Sequence, residues 1–393
     1  MNASILIVSD RFPTTAGAGA ESVLSALCKI TTDLGFTVDF LVIESPLIAV
    51  NLSCTPTGYG NNLTFWQTKA AKCSGDNVLA NRLADNVTSF LDLKGYDKIF
   101  VFGDDNIILF SRLSGYKIAW PDDPPHLVSE FKVKCNLLTV KTRVRSFLNS
   151  INERWMQRIL CRALNAYELI VHHAKHHAEE FKNATNCAII YAPPLIPSMM
   201  MTQLLSCKSL GSHRQGFIHI GHLGGAASLA SIEMLLSPDL CNHFSQRKQS
   251  MVLIGKVDIP KILESKLGAA GYVIKGFVKD LESAMRSCRA VVVPGNYSVG
   301  ARTRILHALS LGTPVIAHRS CGVGIPELQS CGAVEMFDSP QELVCILMKY
   351  EALDEDLLGK ISATAIEFMM DFAPKVELKW KNVFTSIDYS EYI

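Results

Sequence analysis

The sequence lacks an excess of either charge: 38 lysines and arginines face 37 aspartates and glutamates, a net of +1. A dedicated DNA or RNA binder is usually basic overall, so no nucleic-acid partner is expected. No apolar run approaches the ~20 residues that a membrane span needs. The opening residues, MNASILIVSDRFP, carry no charged n-region, and their apolar run stops at Ser9, Asp10 and Arg11, too short for a secretory leader. The expectation is a cytoplasmic chain, with peripheral attachment to a membrane held open. On that ground the sequons at Asn2, Asn51, Asn62, Asn86, Asn183 and Asn296 are read as chance. The 12 cysteines include no C-x-x-C pair, which fits reduced, mostly buried thiols better than a disulfide framework or a zinc site. There is no solenoid-period repeat and no low-complexity segment.

What is present is apolar mass in an alternating pattern. Hydrophobic residues make up 48% of the 393, which excludes a disordered, collagenous or disulfide-stapled chain. At ~150 residues per domain the length suggests two or three domains. Strands are predicted at 4–9, 37–43, 98–102, 117–120, 168–172 and 187–191, then at 216–221, 251–255, 272–275, 290–294, 313–318 and 333–337. Several are apolar without alternation, as parallel strands covered on both faces are. Helical patterns fall between them, at 21–34, 144–164, 260–267 and 304–311. This alternation is that of an α/β protein. The series breaks at the proline-rich YAPPLIP that begins at Tyr191. Domains are therefore predicted over 1–195 and 214–370, with a linker at 196–213 and a terminal segment at 371–393.

Five local patterns carry chemistry. Gly17, Ala18 and Gly19 lie between a strand and a helix start, where bare backbone and the helix dipole favour an anion. The third glycine of a dinucleotide fingerprint is replaced by Ser22, which leaves Glu44 as the weak dehydrogenase alternative and a ligand-free loop as the plain one. Gly300 precedes Arg302 and Arg304 at the start of a predicted helix. Cations there oppose the dipole unless an anion such as a diphosphate binds; two solvated arginines are the alternative. Asp122, Asp123 and His126 lie in a proline-stiffened loop after a strand, placed to orient or deprotonate a hydroxyl, or to form a capping turn with solvated acids. His172, His173, His176 and His177, with Glu180 nearby, have the look of a metal site. The run starts at a strand end, however, so no metal ligand is assigned. The segment from Lys132 to Arg162 holds eight basic residues against Glu153, a net of +7, leaving −6 for the rest. It reads either as a helix for an anionic bilayer or as a solvated basic face over an apolar core stripe.

Several of these residues carry a family resemblance. The stretch GARTRILHALSLGTPVI from Gly300 is close to the G-T-R-x-K-I-L-E-A-x-A-x-G-x-P-V-V of one branch of the family 4, group 1 glycosyltransferases of GT-B fold. Gly276-Phe277-Val278-Lys279-Asp280-Leu281 resembles their G-x-V-x-D-L loop, GAGAES from Gly17 their G-G-A-E-R, and Tyr191-Ala192-Pro193-Pro194 the segment before their linker. Gly221-His222-Leu223-Gly224-Gly225 stands where their second domain opens. The resemblance implies two Rossmann-like domains facing across a cleft, the acceptor on the N-terminal one and a nucleotide-sugar on the other. It implies a retaining, metal-independent hexosyltransferase-like enzyme without a cofactor, the nucleotide-sugar being a co-substrate. The acceptor would be a glycan, a lipid-linked molecule or a protein. Gly276, Phe277 and Val278 would meet the base, Gly300, Arg302 and Arg304 the diphosphate, Gly17, Ala18 and Gly19 the phosphates or sugar. The terminal helix at 373–387 would cross back to the first domain. The family's two glutamates are replaced by Val299 and His307, and its Arg…Lys pair is missing from 224–231. One imidazole can bond one ribose hydroxyl where a carboxylate accepts two. These departures keep a second reading open, a non-catalytic GT-B subunit partnering an active enzyme, and a third, a nucleotide-sugar epimerase.

Overall fold

The computed structural model describes residues 3–11, 13, 20–44, 63–69, 95–197, 200, 202, 214–245 and 251–385. In chain order the first part runs β1 (Ser4–Ser9), α1 (Ala20–Asp33), β2 (Thr37–Glu44), β3 (Leu63–Lys69), β4 (Lys98–Phe102), α2 (Asp104–Phe110), β5 (Lys117–Trp120), α3 (Pro125–Lys134), α4 (Val140–Leu164), β6 (Leu169–His172), α5 (Lys175–Ala184) and β7 (Ala188–Tyr191). The second runs β8 (Phe217–Ile220), α6 (Ala226–Leu235), α7 (Pro238–Ser245), β9 (Met251–Ile254), α8 (Lys261–Ala269), β10 (Val273–Gly276), α9 (Leu281–Ser287), β11 (Ala290–Val293), α10 (Thr303–Ser310), β12 (Val315–His318), β13 (Val334–Phe337), α11 (Pro340–Ala352) and α12 (Glu355–Thr385).

The chain forms two compact units, one from residues 1–124, 153–197 and 375–393, the other from 125–152 and 198–374. The first has a seven-stranded sheet in the order β3-β2-β1-β4-β5-β6-β7, the second a six-stranded sheet in the order β10-β9-β8-β11-β12-β13. Every pairing is parallel, with β1 flanked by β2 and β4, and β8 by β9 and β11. The apolar strands follow from this: Ile5 to Val8 and Val291 to Val292 have no exposed surface, because helices cover both sheet faces.

Three differences from the sequence reading have physical reasons. Strand β3, LTFWQTK, was not predicted; among the described residues it pairs only with β2, at the sheet edge, and its sequence mixes polar and apolar residues. Residues 125–152, assigned by sequence to the first domain, pack in the second unit. Cys135 lies in that unit's core, with Phe131, Leu137 and Leu138 against it. The predicted terminal helix is the end of a longer one, α12, which begins at Glu355 in the second unit and supplies residues from 375 onward to the first. There Trp380 and Phe384 are fully buried against Phe100, and the Trp380 indole donates to the Pro193 carbonyl at 2.8 Å.

Candidate functional site

In an open parallel sheet, ligands bind beyond the carboxyl ends of the strands where the strand order reverses. That point lies between β1 and β4 in the first unit and between β8 and β11 in the second.

In the second unit the reversal is filled by basic groups. Arg304, in the first turn of α10, donates from Nη1 to the carbonyl of Ile220, the last residue of β8. Arg302 donates from Nη2 to the Tyr297 carbonyl at 2.7 Å, and its guanidinium lies 4.9 Å from the centre of the Tyr297 ring. Neither has a carboxylate within 4 Å among the described residues. Burial and the Arg302 charge push the Arg304 guanidinium down to about 10, so it is still a cation at neutral pH. His219 spans the two central strands, its Nδ1–H donating to the Val292 carbonyl at 2.9 Å. Burial and the Arg304 charge push it down to about 3, so it adds no positive charge.

The loop that aims the arginines is braced from several sides. Gly300 takes φ +73°, a conformation that costs a residue with a side chain ~1–2 kcal/mol. The Tyr297 N–H donates to Ser320 Oγ at 2.9 Å, and Phe131 of α3 packs on the Tyr297 ring with centroids 5.1 Å apart. Arg302 is the N-cap of α10 and makes no side-chain cap bond, while its carbonyl accepts the Ile305 N–H at 2.9 Å. A Cβ on Gly221 would lie 2.5 Å from Ser228 Oγ and 2.8 Å from Arg304 Nη1. Gly221→Ala should therefore push the guanidinium off the β8 carbonyl and weaken nucleotide binding about tenfold, while the unliganded protein melts within a few degrees of the wild type. Isothermal titration with UDP beside a melting curve checks this; equal affinity in the two proteins refutes it.

The remaining predicted donor residues are nearby in sequence order. Gly276 ends β10 at φ +65° and accepts the Gly255 N–H at 2.8 Å. Phe277 is 82% exposed, Val278 half-buried, and Asp280 caps α9 by accepting the Ser283 N–H at 2.8 Å. His307 is buried in α10 with Nε2 unbonded; burial lowers its pKa and the Glu282 charge opposes this. Gly17, Ala18 and Gly19 lie outside the described residues.

The first unit gathers acids and imidazoles at its own carboxyl edge. The Asp122 N–H donates to Asp104 Oδ1 at 2.9 Å, and the Asp104 N–H to Asp122 Oδ2 at 3.3 Å. Burial pushes Asp122 up to about 6 against the pull of the Arg11 cation, and Asp104 rises well above its usual range by burial and the Asp122 charge. The pair keeps a proton at pH values where an exposed aspartate has lost it. Asp123 faces two stacked imidazoles: Oδ1 is 3.4 Å from His173 Nε2 and 4.0 Å from His172 Nε2.

One of the two rings is fixed in a single tautomer. His173 Nδ1 accepts the Trp120 indole N–H at 3.0 Å, whereas His172 Nδ1 lies 3.0 Å from the Ala174 nitrogen and 3.2 Å from the Ala174 carbonyl oxygen. An indole nitrogen only donates, so neutral His173 carries its proton on Nε2, pointing at Asp123. Burial lowers the pKa of both rings, keeping them neutral. A metal needs the lone pair that this proton occupies. Asp123, His172 and His173 lie close enough together to hold an ion, but the Trp120 bond puts the His173 proton on Nε2, the nitrogen nearest Asp123.

The sequence reading thus placed Asp122 and Asp123 at a strand end, but grouped them with His126. His126 opens α3, which packs in the second unit, and the histidines that meet Asp123 are His172 and His173. The signal was available: β5 and β6 are neighbours in a doubly wound sheet, so the residues after Trp120 and at His172 share an edge. His172 and His176 do not share a helix face, because α5 begins only at Lys175. Tyr297, His219 and Ser320 were missed, having no pattern that marks them.

Residues 222–345 match the family model described as glycosyl transferases, group 1, a span from the end of β8 into α11 that includes both arginines. A search among curated proteins returns no match. Among solved structures, sucrose-phosphate synthase from Thermosynechococcus elongatus is similar at 12% identity and TM-score 0.68, over 97% of this chain and 98% of that one. HepE from Anabaena, solved in complex with UDP, is similar at 14% identity and TM-score 0.63, over 98% and 100%. A trehalose 6-phosphate synthase from Burkholderia multivorans is similar at 11% identity and TM-score 0.64, over 97% of each chain. At these identities the likeness shows the fold, the two Rossmann-like domains of the GT-B class.

Proposed function

We propose that this chain, a group 1 glycosyltransferase by its second domain and GT-B in fold, moves a sugar from a nucleoside-diphosphate sugar to an acceptor hydroxyl. The observation that carries the reading is the Arg302–Arg304 pair: two guanidinium groups at the strand-order reversal, held by carbonyls and a ring, with no carboxylate within 4 Å among the described residues. In the reaction the bond from the anomeric carbon to the diphosphate oxygen breaks. A bond to the acceptor oxygen forms, and the acceptor proton is released. Charge grows on the leaving diphosphate, and fixed cations stabilise it most in the transition state. The Gly276–Phe277–Val278 turn faces the base and His307 Nε2 meets one ribose hydroxyl. On the first unit, Asp123 with its two imidazoles and the Asp104–Asp122 pair position acceptor hydroxyls. With the leaving group taking the proton on the acceptor's own face, configuration is retained and no strong protein base is needed. The Nε2–H of His173, aimed at Asp123, supports metal-independent transfer.

The test is a donor panel. UDP is the first nucleotide to try, since a structural relative was solved with it. At about a hundred times its Kd, a nucleoside diphosphate adds about 2.7 kcal/mol of stability, a rise of several degrees in Tm. Turnover of the matching nucleotide-sugar is expected to be unchanged within about twofold by EDTA, and NMR of the product should show the donor's anomeric configuration. No shift with any nucleoside diphosphate would refute the donor site and leave the non-catalytic subunit, to which the glutamate-to-His307 replacement points.

A further inference from the structure

Helix α4 packs Leu160 and Leu164 into the first unit's core at its C-terminal end, but over its first four turns it is amphipathic the wrong way round for a packed helix. Its inward side presents Ser146 and Ser150, both about nineteen-twentieths buried. Val140, Val144, Phe147, Leu148, Ile151 and Trp155 are 54–74% exposed instead. At 3.6 residues per turn these six fall within an arc of about 100° and run about 22 Å along the helix. The reading of this stripe as core is overturned: the stripe is the outer face. Lys141 and Arg145 flank it on one side, Arg143 and Arg154 on the other, and exposed Arg158 and Arg162 continue it.

We infer that this face of α4 docks on a bilayer bearing anionic lipids. The charge on the page selects that occupant. The segment carrying the face has a net of +7 in a chain of +1. A two-fold dimer through the face would set the same basic segment against itself, because such an interface is self-complementary. An anionic surface takes the arginines and lysines at its headgroups while Phe147, Leu148 and Trp155 enter the acyl boundary. Lys and Arg stems reach past the apolar arc to do so. The inference is independent of the proposed sugar transfer.

Vesicle flotation of the full chain tests it. With about 30% phosphatidylglycerol in phosphatidylcholine the protein is expected to float, weakly at high salt and not with phosphatidylcholine alone. Binding should blue-shift tryptophan emission, and Trp155→Phe should sharply reduce that shift, because Trp155 is 58% exposed on this face while Trp120 and Trp380 are buried. Phe147→Asp with Leu148→Asp should lower vesicle affinity at least about tenfold with an unchanged melting temperature. Arg302→Ala should float like the wild type, which separates this proposal from the donor site. No flotation, or flotation unmoved by the paired substitution, overturns it. Self-association that Leu148→Asp abolishes, without flotation, also overturns it and assigns the face to a second copy.

Discussion

Arg304→Ala is expected to abolish the UDP-dependent rise in melting temperature and to lower kcat/KM for the nucleotide-sugar by about two to three orders of magnitude. The guanidinium is already in place before any ligand arrives: it is anchored on the Ile220 carbonyl at the end of a central strand, and Gly221 leaves it the space. An anchored cation needs no reorganisation when charge develops, which is where electrostatic catalysis gains most. It also has donors to spare, since one recorded bond leaves most of its five N–H groups available. Arg304→Lys keeps the charge but loses the planar fork, so an intermediate loss is expected. Arg302→Ala should resemble Arg304→Ala in UDP response, and it also removes the contact with Tyr297. Calorimetric titration beside initial rates decides the matter. A full UDP response in Arg304→Ala would remove the basis of the donor site, whatever the rates show.

Asp122→Asn should move stability and activity in opposite directions. Folding raises the Asp122 pKa from 3.8 to about 6, so the native state binds its proton more tightly than the unfolded chain does. Stability from this group is fully present below pH 3.8 and is lost as pH rises through about 6. Above that the buried charge costs about 2–3 kcal/mol, at about 1.36 kcal/mol per pKa unit. An amide keeps the acceptor for the Asp104 N–H and has no charge to bury. The variant is therefore expected to melt several degrees higher than wild type at pH 8, with the gap closing toward pH 4. Sugar transfer should fall, because the acceptor edge loses its titrating carboxyl. Melting curves from pH 4 to 8 check the sign: a gap that widens on acidification would show that Asp122 is ionised by choice of the fold. Equal transfer rates would remove Asp122 from acceptor positioning.

Local pattern carried much of the architecture. Uninterrupted apolar runs such as Val291-Val292-Val293 announce a strand covered on both faces, and the twelve strands read from the sequence were placed within a residue or two of their observed ends. Edge strand β3 escaped because pairing on one side leaves no continuous apolar run to read. The site was legible only in part. Gly300, Arg302 and Arg304 stand together in the chain, so a motif reveals them. The Asp123–His172–His173 group joins residues some fifty positions apart, brought together by the order of the strands. The allocation of α3 was hidden for a similar reason: nothing in residues 125–134 says that Phe131 will rest on Tyr297. Helix α4 shows the limit most plainly, because an apolar stripe in a sequence does not declare which way it faces.

The last helix sets the order of events at the ribosome. Trp380 and Phe384 close the aromatic interior around Phe100 in the first unit, and the Phe384 carbonyl receives the Lys98 ammonium. A nascent chain that has already emitted its whole first sheet still has no plug for that interior until the second unit's residues have emerged as well. The first unit is thus closed only after the second unit's residues have passed, and a stop at codon 375 would leave its strands open to chaperones and proteases.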